Sequence, residues 1–206
     1  MPRLSALTQL DGGHLTCIST ADGRSVTGLG RRVWSGSSKE PVVVAREPWM
    51  VTLHEHAGSA PAWVLPVRVS GPTSFTLVAV WTLVFQGTPG YVAQLDRAAD
   101  WVEPFSTKAP TVLAGDLNAP ISSTQNAYDK VERRLNELGL VDAYRVAHGL
   151  ELDEQPTEPT YFHHRRQDQP FHIDHVFVPP PGRTGRRSRR ATSTRGSPPV
   201  AATTSR

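Results

Sequence analysis

Apolar residues along the chain gather in short runs separated by Gly, Pro and charged residues. Pro41 to Arg46 and Phe75 to Trp81 are nearly continuous in Val, Ala and other apolar residues. Both predict strands, and the second is so uniformly apolar that it predicts a central strand buried on both faces. Between them, Trp49 to Leu53 predicts a strand paired with the first across the Glu47-Pro48 turn. Trp63 to Val69 predicts another, which Pro66 assigns to an edge or a bulge. Residues 1 to 40 are broken by Gly12, Gly13, Gly23, Gly28, Gly30 and Gly36, and only Leu15 to Ile18 reads as a strand there.

A helical period takes over downstream. After Pro89 and Gly90, the residues Tyr91, Leu95, Ala98 and Val102 define one face of an amphipathic helix that ends near Pro104. Ala127, Val131, Leu135 and Leu138 predict a second helix, capped by Ser122 or Ser123 and stopped by Gly139. Its wet face is Asp129, Lys130, Glu132, Arg133, Arg134 and Glu137. A strand over Thr111 to Asp116 separates the helices and another over Ile173 to Val178 follows them. Periodicity alone therefore gives an α/β or α+β class.

A length of 206 residues suits one domain with a substantial core. Cys17 is the only cysteine, which excludes an internal disulfide and a cysteine-built zinc site and fits a reducing compartment. No run approaches the ~18 to 20 apolar residues of a membrane span, so a cytoplasmic location is the expectation. The net charge is +3, but seven arginines and no acid follow Pro179, so the preceding residues are net acidic. That tail of Arg, Ser, Thr and Pro predicts an unstructured segment over 180–206 behind a domain over 1–179. The same arginines would also suit a polyanion-binding arm.

Candidate chemistry begins where the apolar run from Thr111 stops at Gly115-Asp116-Leu117-Asn118. A strand presents residues two apart on one side, so Asp116 and Asn118 could hold one water, metal or phosphate oxygen between them. The competing reading is an Asx turn closing the strand. His54-Glu55-His56 lacks the spacing that places two imidazoles on one helix face and reads as a solvated strand end. The tryptophans at 34, 49, 63, 81 and 101 fall mostly in apolar strands and read as core rather than base-stacking platforms.

Gly-Asp-Leu-Asn-Ala-Pro at 115–120, a helix, Gly139-Leu140-Val141-Asp142-Ala143-Tyr144, Pro159-Thr160-Tyr161, and His172-Ile173-Asp174-His175-Val176-Phe177-Val178 occur in an order that resembles the endonuclease/exonuclease/phosphatase superfamily. The resemblance covers residues 75 to 179. It implies a four-layer α/β sandwich, two packed mixed sheets flanked by helices, here incomplete. It further implies Mg²⁺- or Mn²⁺-dependent hydrolysis of a phosphodiester or phosphomonoester, nucleic acid among the substrate classes, and leaves the choice of substrate open.

By that resemblance Asp116 orients or deprotonates the attacking water and is the metal candidate, Asn118 donates to a phosphate oxygen, and Asp174 orients a catalytic histidine. His175 stands where relatives carry Tyr; it either fills an aromatic position or forms with Asp174 the family's closing Asp-His pair. Arg165 and Arg166 are further phosphate candidates. The family's opening Asn strand, its metal-binding Glu and its closing Ser-Asp-His are not found. The resemblance therefore supports either an impaired phosphoesterase or a noncatalytic, polyanion-binding remnant of the fold.

Overall fold

In this computed structural model the described residues are 3–10, 13–19, 31–33, 41–84, 86–106, 109–119 and 125–181. Trp34, the proposed caps Ser122 and Ser123, and the tail from 182 onward lie outside them. The chain opens with strands β1 (Arg3–Leu10), β2 (Gly13–Ser19), β3 (Arg31–Val33) and β4 (Pro41–Ala45), which form an antiparallel sheet in the order β1-β2-β4-β3. Strands β5 (Met50–Leu53), β6 (Val64–Ser70) and β7 (Phe75–Trp81) then begin a second sheet. Helix α1 (Tyr91–Ser106) leads to β8 (Thr111–Asp116), and α2 (Gln125–Glu137) to β9 (Val141–Asp142) and α3 (Ala143–His148). A small hairpin, β10 (Tyr161–Phe162) with β11 (Pro170–Phe171), precedes β12 (Asp174–Val178).

The second sheet has six strands in the order β5-β6-β7-β8-β12-β9. Only β7 and β8 are parallel, as a helical crossover through α1 allows; every other pair is antiparallel. One face of this sheet buries Val78, Val80, Leu113 and Phe177 against Leu95, Ala98 and Val102 of α1 and Tyr128, Val131 and Leu135 of α2. The other buries Val67, Leu77, Ala79 and Ala114 against Val43 and Ala45 of the four-stranded sheet. Helices, large sheet and small sheet thus form three layers, an α/β architecture with β7 buried on both faces as its apolar run predicts. A fourth, helical layer is not among the described residues.

Four local expectations are corrected. Trp49 to Leu53 does not pair with Pro41 to Arg46: the chain crosses from one sheet to the other at Arg46–Trp49, and buried Trp49 joins the core between the sheets. Pro66 lies in an interior strand. The ladder from β5 stops at Leu53 opposite Val67, and the next bond runs from the His54 amide to the Pro66 carbonyl. The side of Pro66 that lacks a donor therefore faces the end of β5, and no ladder bond to β7 is lost. Helix α1 continues past Pro104 to Ser106, because a proline in the last turn forfeits a single bond. In α2 the inward residues are Tyr128, Val131, Glu132 and Leu135, so Ala127 is exposed and Glu132, read as wet, is fully buried.

Candidate active site

Strands β7, β8 and β12 end at one level. Asp116 is the direct register partner of Asp174 on one side and of Trp81 on the other. Register partners project to the same face of a sheet, here the face that carries Ala79 and Ala114 toward the small sheet. Two carboxylates and an indole therefore line one edge of the space between the sheets.

Glycine is required at 115 for a steric reason. Its φ is +149° and a Cβ there would lie 1.9 Å from the Val80 carbonyl oxygen. Beyond it the chain turns sharply. The Asn118 amide donates to Oδ1 of Asp116 at 3.0 Å, an Asx turn, with Asn118 itself in the left-handed region at φ +47°. The Asn118 side-chain amide donates to the Thr82 carbonyl at 2.9 Å, and the Thr82 hydroxyl donates to the Leu117 carbonyl at 2.5 Å. The Asx turn and the presentation of an acid beside an amide are thus one structure: the turn sets the direction of Asp116. Of the two residues, Asp116 is buried and Asn118 half-buried.

Asp174 is positioned from behind by Thr160, whose hydroxyl accepts from the amides of Ile173 and Asp174 at 3.0 and 3.1 Å. His175, one residue on, points to the opposite, helix-covered face, where it packs on Tyr128 and Phe177. Its carboxylate partner is Asp142 at 2.7 Å, not Asp174. The structure therefore brings Asp116, Asn118 and Asp174 together and sets His175 behind them, filling an aromatic position in the core.

Arg165 and Arg166 lie on the exposed β10–β11 hairpin, and Arg166 is engaged by both oxygens of Asp168 at 3.0 and 2.6 Å. Two acids elsewhere are poorly placed to join the site. Glu47 precedes Pro48, which with Trp49 packs against Gly71 at the end of the large sheet opposite Trp81. Glu55 is exposed, ion-paired with Arg68, and follows β5, three strand spacings or about 14 Å from β8. His54 is not solvated: it is buried against Trp101 and Phe105, and that burial holds its imidazole below the usual range.

A buried polar network backs the site. Asp142 caps α3 by accepting from the amides of Tyr144 and Arg145 at 2.8 and 3.4 Å while its second oxygen holds His175. Burial opposes its charge, but the hydrogen bond and charge of His175, with the two amides, keep the Asp142 carboxyl below the usual range. Arg145 pairs with Glu132 at 2.7 Å and donates to the carbonyls of Glu151 and Glu154 at 2.6 and 2.7 Å. Burial outweighs that pairing and raises Glu132. Thr82, Tyr128 and the contacts of Thr160 and Asp142 carry no expectation from sequence. An Asp just after a Gly stop and before Ala-Tyr-Arg is a legible helix cap; Thr82 at the end of an apolar run carries no signal.

Two carboxylates and an amide therefore meet at the edge of a mixed sheet, facing a second sheet, where the carboxylates offer hard oxygen donors. Residues 36–194 match the Endonuclease/Exonuclease/phosphatase family, and the chain belongs to it. Among solved structures it resembles truncated Caenorhabditis elegans TDP2 at 15% identity and TM-score 0.55, covering 81% of this chain and 71% of that one. It also resembles the endonuclease domain of TRAS1, a telomere-specific non-LTR retrotransposon, at 17% identity and TM-score 0.50, covering 72% of this chain. The chain spans 64% of the length of that endonuclease domain. A comparison with curated proteins gave no match.

Proposed function

We propose that the chain hydrolyses phosphate esters, with a phosphodiester of nuclease type as the favoured substrate, at the edge where Asp116, Asn118 and Asp174 meet. The observation that carries this reading is the direct cross-strand register of Asp116 and Asp174 beside the Asn118 turn. Asp116, its direction set by the Asn118 amide, orients and deprotonates the attacking water. Asn118 spends one side-chain N–H on Thr82 and has a second for a phosphate oxygen. Asp174 is the second carboxylate of the site; any histidine it orients is not His175.

Family membership implies a divalent cation. The donor chemistry fits Mg²⁺ or Mn²⁺, since carboxylate oxygens are the ligands such ions prefer. Among the described residues, however, no group of three or more His, Cys, Asp or Glu side chains is placed to hold an ion. Asp116 and its neighbour Asp174 would hold a cation here, and the ion would supply neutralisation of the phosphate charge. Activity then requires high metal concentration. The seven arginines after Pro179 suit a second reading in which the chain binds a polyanion without cleaving it.

The test is hydrolysis of bis-p-nitrophenyl phosphate and of a labelled oligonucleotide by the full chain, with Mg²⁺ and Mn²⁺ titrated, for wild type and Asp116→Asn. An amide cannot accept the proton, so the variant loses at least about 100-fold in rate. Hydrolysis that survives Asp116→Asn overturns the assignment of the site. Oligonucleotide binding with no hydrolysis at any metal concentration selects the second reading.

A further inference from the structure

Gln94, in the first turns of α1, is 0% exposed and has no part in the chemistry proposed above. A fully buried primary amide needs partners for its two donors and its acceptor. Its Nε2 donates to the carbonyl oxygens of Leu83 and Pro89, both at 2.7 Å, and its Oε1 accepts from the Leu83 amide at 3.1 Å. The flipped amide would set an oxygen against two carbonyls, so the hydrogen bonds fix its orientation. The main-chain carbonyl of Gln94 accepts from Nε1 of Trp63 at 3.0 Å, which anchors the helix turn that carries it.

Leu83 and Pro89 are the two ends of one connection, the first just beyond β7 and the second just before α1. Gln94 holds those ends together. The Thr88 hydroxyl donates to the same Leu83 carbonyl at 3.3 Å, and Gly87, at φ +86°, lets the chain reverse between them. The end at β7 reaches the site. The Thr82 amide donates to the Asp116 carbonyl at 3.1 Å, its hydroxyl bonds the Leu117 carbonyl, and its carbonyl accepts from the Asn118 side chain at 2.9 Å.

The Thr82 carbonyl and the Leu83 amide belong to a single planar peptide group. Asn118 bonds one edge of that plane and Gln94 the other. We infer that Gln94 is a positioning residue: by holding the Thr82–Leu83 peptide from α1 it sets the direction of the Asn118 side chain, and with it the N–H that Asn118 presents at the site. A left-handed Asn118 has to be held against its own backbone preference, and a carbonyl on a fixed plane does so. Glutamate lacks the two donors and methionine lacks all three groups, so the role is specific to an amide of this length. The tie stands on the geometry alone; the consequence for catalysis rests on the proposed phosphoesterase reading.

The experiment uses the full chain labelled with ¹⁵N. In wild type the side-chain amide protons of Gln94 exchange with solvent at least about a hundredfold more slowly than those of exposed Gln86. Comparable rates overturn the proposal. Gln94→Met keeps the volume and removes all three bonds, so exchange at the Leu83 amide and at the Asn118 side-chain amide accelerates about tenfold or more. In the same variant kcat falls about tenfold while KM moves less than about twofold, because a misdirected donor costs most where charge develops. Unchanged exchange at the Asn118 side chain overturns the positioning role. Trp63→Phe removes a bond to the same helix turn but none to the connection, and leaves both exchange rates within about threefold of wild type. An acceleration there equal to that of Gln94→Met would mean general loosening and also overturns the role. Should Gln94→Met fail to fold, the wild-type rates at Gln94 and Gln86 decide. Absence of hydrolysis by wild type removes the phosphoesterase reading and leaves the exchange rates to decide this one.

Discussion

Arg145→Met tests how the backing network holds α3 in place. Arg145 and Glu132 are 7% and 0% exposed at the side chain, and Arg145 also satisfies the Glu151 and Glu154 carbonyls. Methionine keeps much of the volume and removes the charge and every one of those donors. Truncating one partner of a buried pair leaves the other charge uncompensated, which costs about 3 to 5 kcal/mol. In a domain of this size that lowers Tm by roughly 6 to 20 °C. The pH dependence carries the diagnosis. Burial already raises Glu132 above its ordinary value of 4.5, and Arg145 is what opposes the rise. Removing Arg145 raises it further. An acid whose folded value is raised contributes stability that is present below its unfolded value and lost as pH rises through the folded one. The deficit of the variant is therefore largest at neutral pH and shrinks as pH falls toward the unfolded Glu value. Glu132→Leu in the Arg145→Met background recovers most of the loss, since an apolar pair replaces a broken ionic one. Urea unfolding at several pH values measures all of this. A loss below about 1 kcal/mol, or one independent of pH, refutes the argument.

Gly115→Ala places a Cβ 1.9 Å from the Val80 carbonyl at a backbone angle of +149°; strand separation and backbone strain together cost about 3 kcal/mol or more. Denaturant midpoints within about 1 kcal/mol of wild type would show that the β7–β8 pair yields more easily than its close contact suggests. Arg134 of α2 clasps Asp96, Asp100 and Glu103 of α1, at 3.0, 2.6 and 3.0 Å, and the three carboxylates raise its guanidinium. Those acids are half exposed or more, so Arg134→Ala costs only about 1 kcal/mol at low salt and less in high salt, read from thermal melts at both ionic strengths.

What the sequence made legible follows from how local each signal is. The strand ending in Asp116 was readable because a run of apolar residues stops at Gly-Asp-Leu-Asn, and β7 because its apolar run needs two buried faces. The two helices are readable from their stripes, but the predicted stripe of the second, Ala127, Val131, Leu135 and Leu138, shares only Val131 and Leu135 with the buried one, whose centre lies roughly 50° further round the helix. That rotation moved Glu132 from the core to the solvent side. Its partner Arg145 sits on another helix, beyond the reach of any periodicity. The His175–Asp142 pair joins residues 33 apart through the pairing of β12 with β9. No pattern in either segment announces that pairing. A two-residue turn at Glu47-Pro48 suggests a hairpin between Pro41 to Arg46 and Trp49 to Leu53, whereas the same spacing also serves a chain stepping between two packed sheets. The rule that assigns Pro66 to an edge or a bulge concerns donors and holds residue by residue, and an interior strand satisfies it wherever its neighbour has already ended.

The site owes its form to the same alternation that governs any strand. On β8 and β12, one set of side chains faces the small sheet and supplies Asp116 and Asp174; the alternate set faces the helices and supplies Leu113, His175 and Phe177. Substrate chemistry and mechanical support are therefore separated by the thickness of one sheet, and each residue of the first set has a neighbour in sequence that belongs to the second. A substitution on the helix face disturbs the carboxylates through the backbone they share, not through space. This explains why a hydrogen-bonded histidine can occupy a place suited to an aromatic ring. Tyrosine at that position has one polar atom and could answer either Asp142 or Ala119, whereas imidazole has two nitrogens on opposite edges and meets both. The turn that presents Asn118 is in this way coupled to the cap of α3, and α3 to α2 through Arg145 and Glu132. A loss of the Arg145 pair should therefore be felt first at Asp142 and His175, and then at the turn.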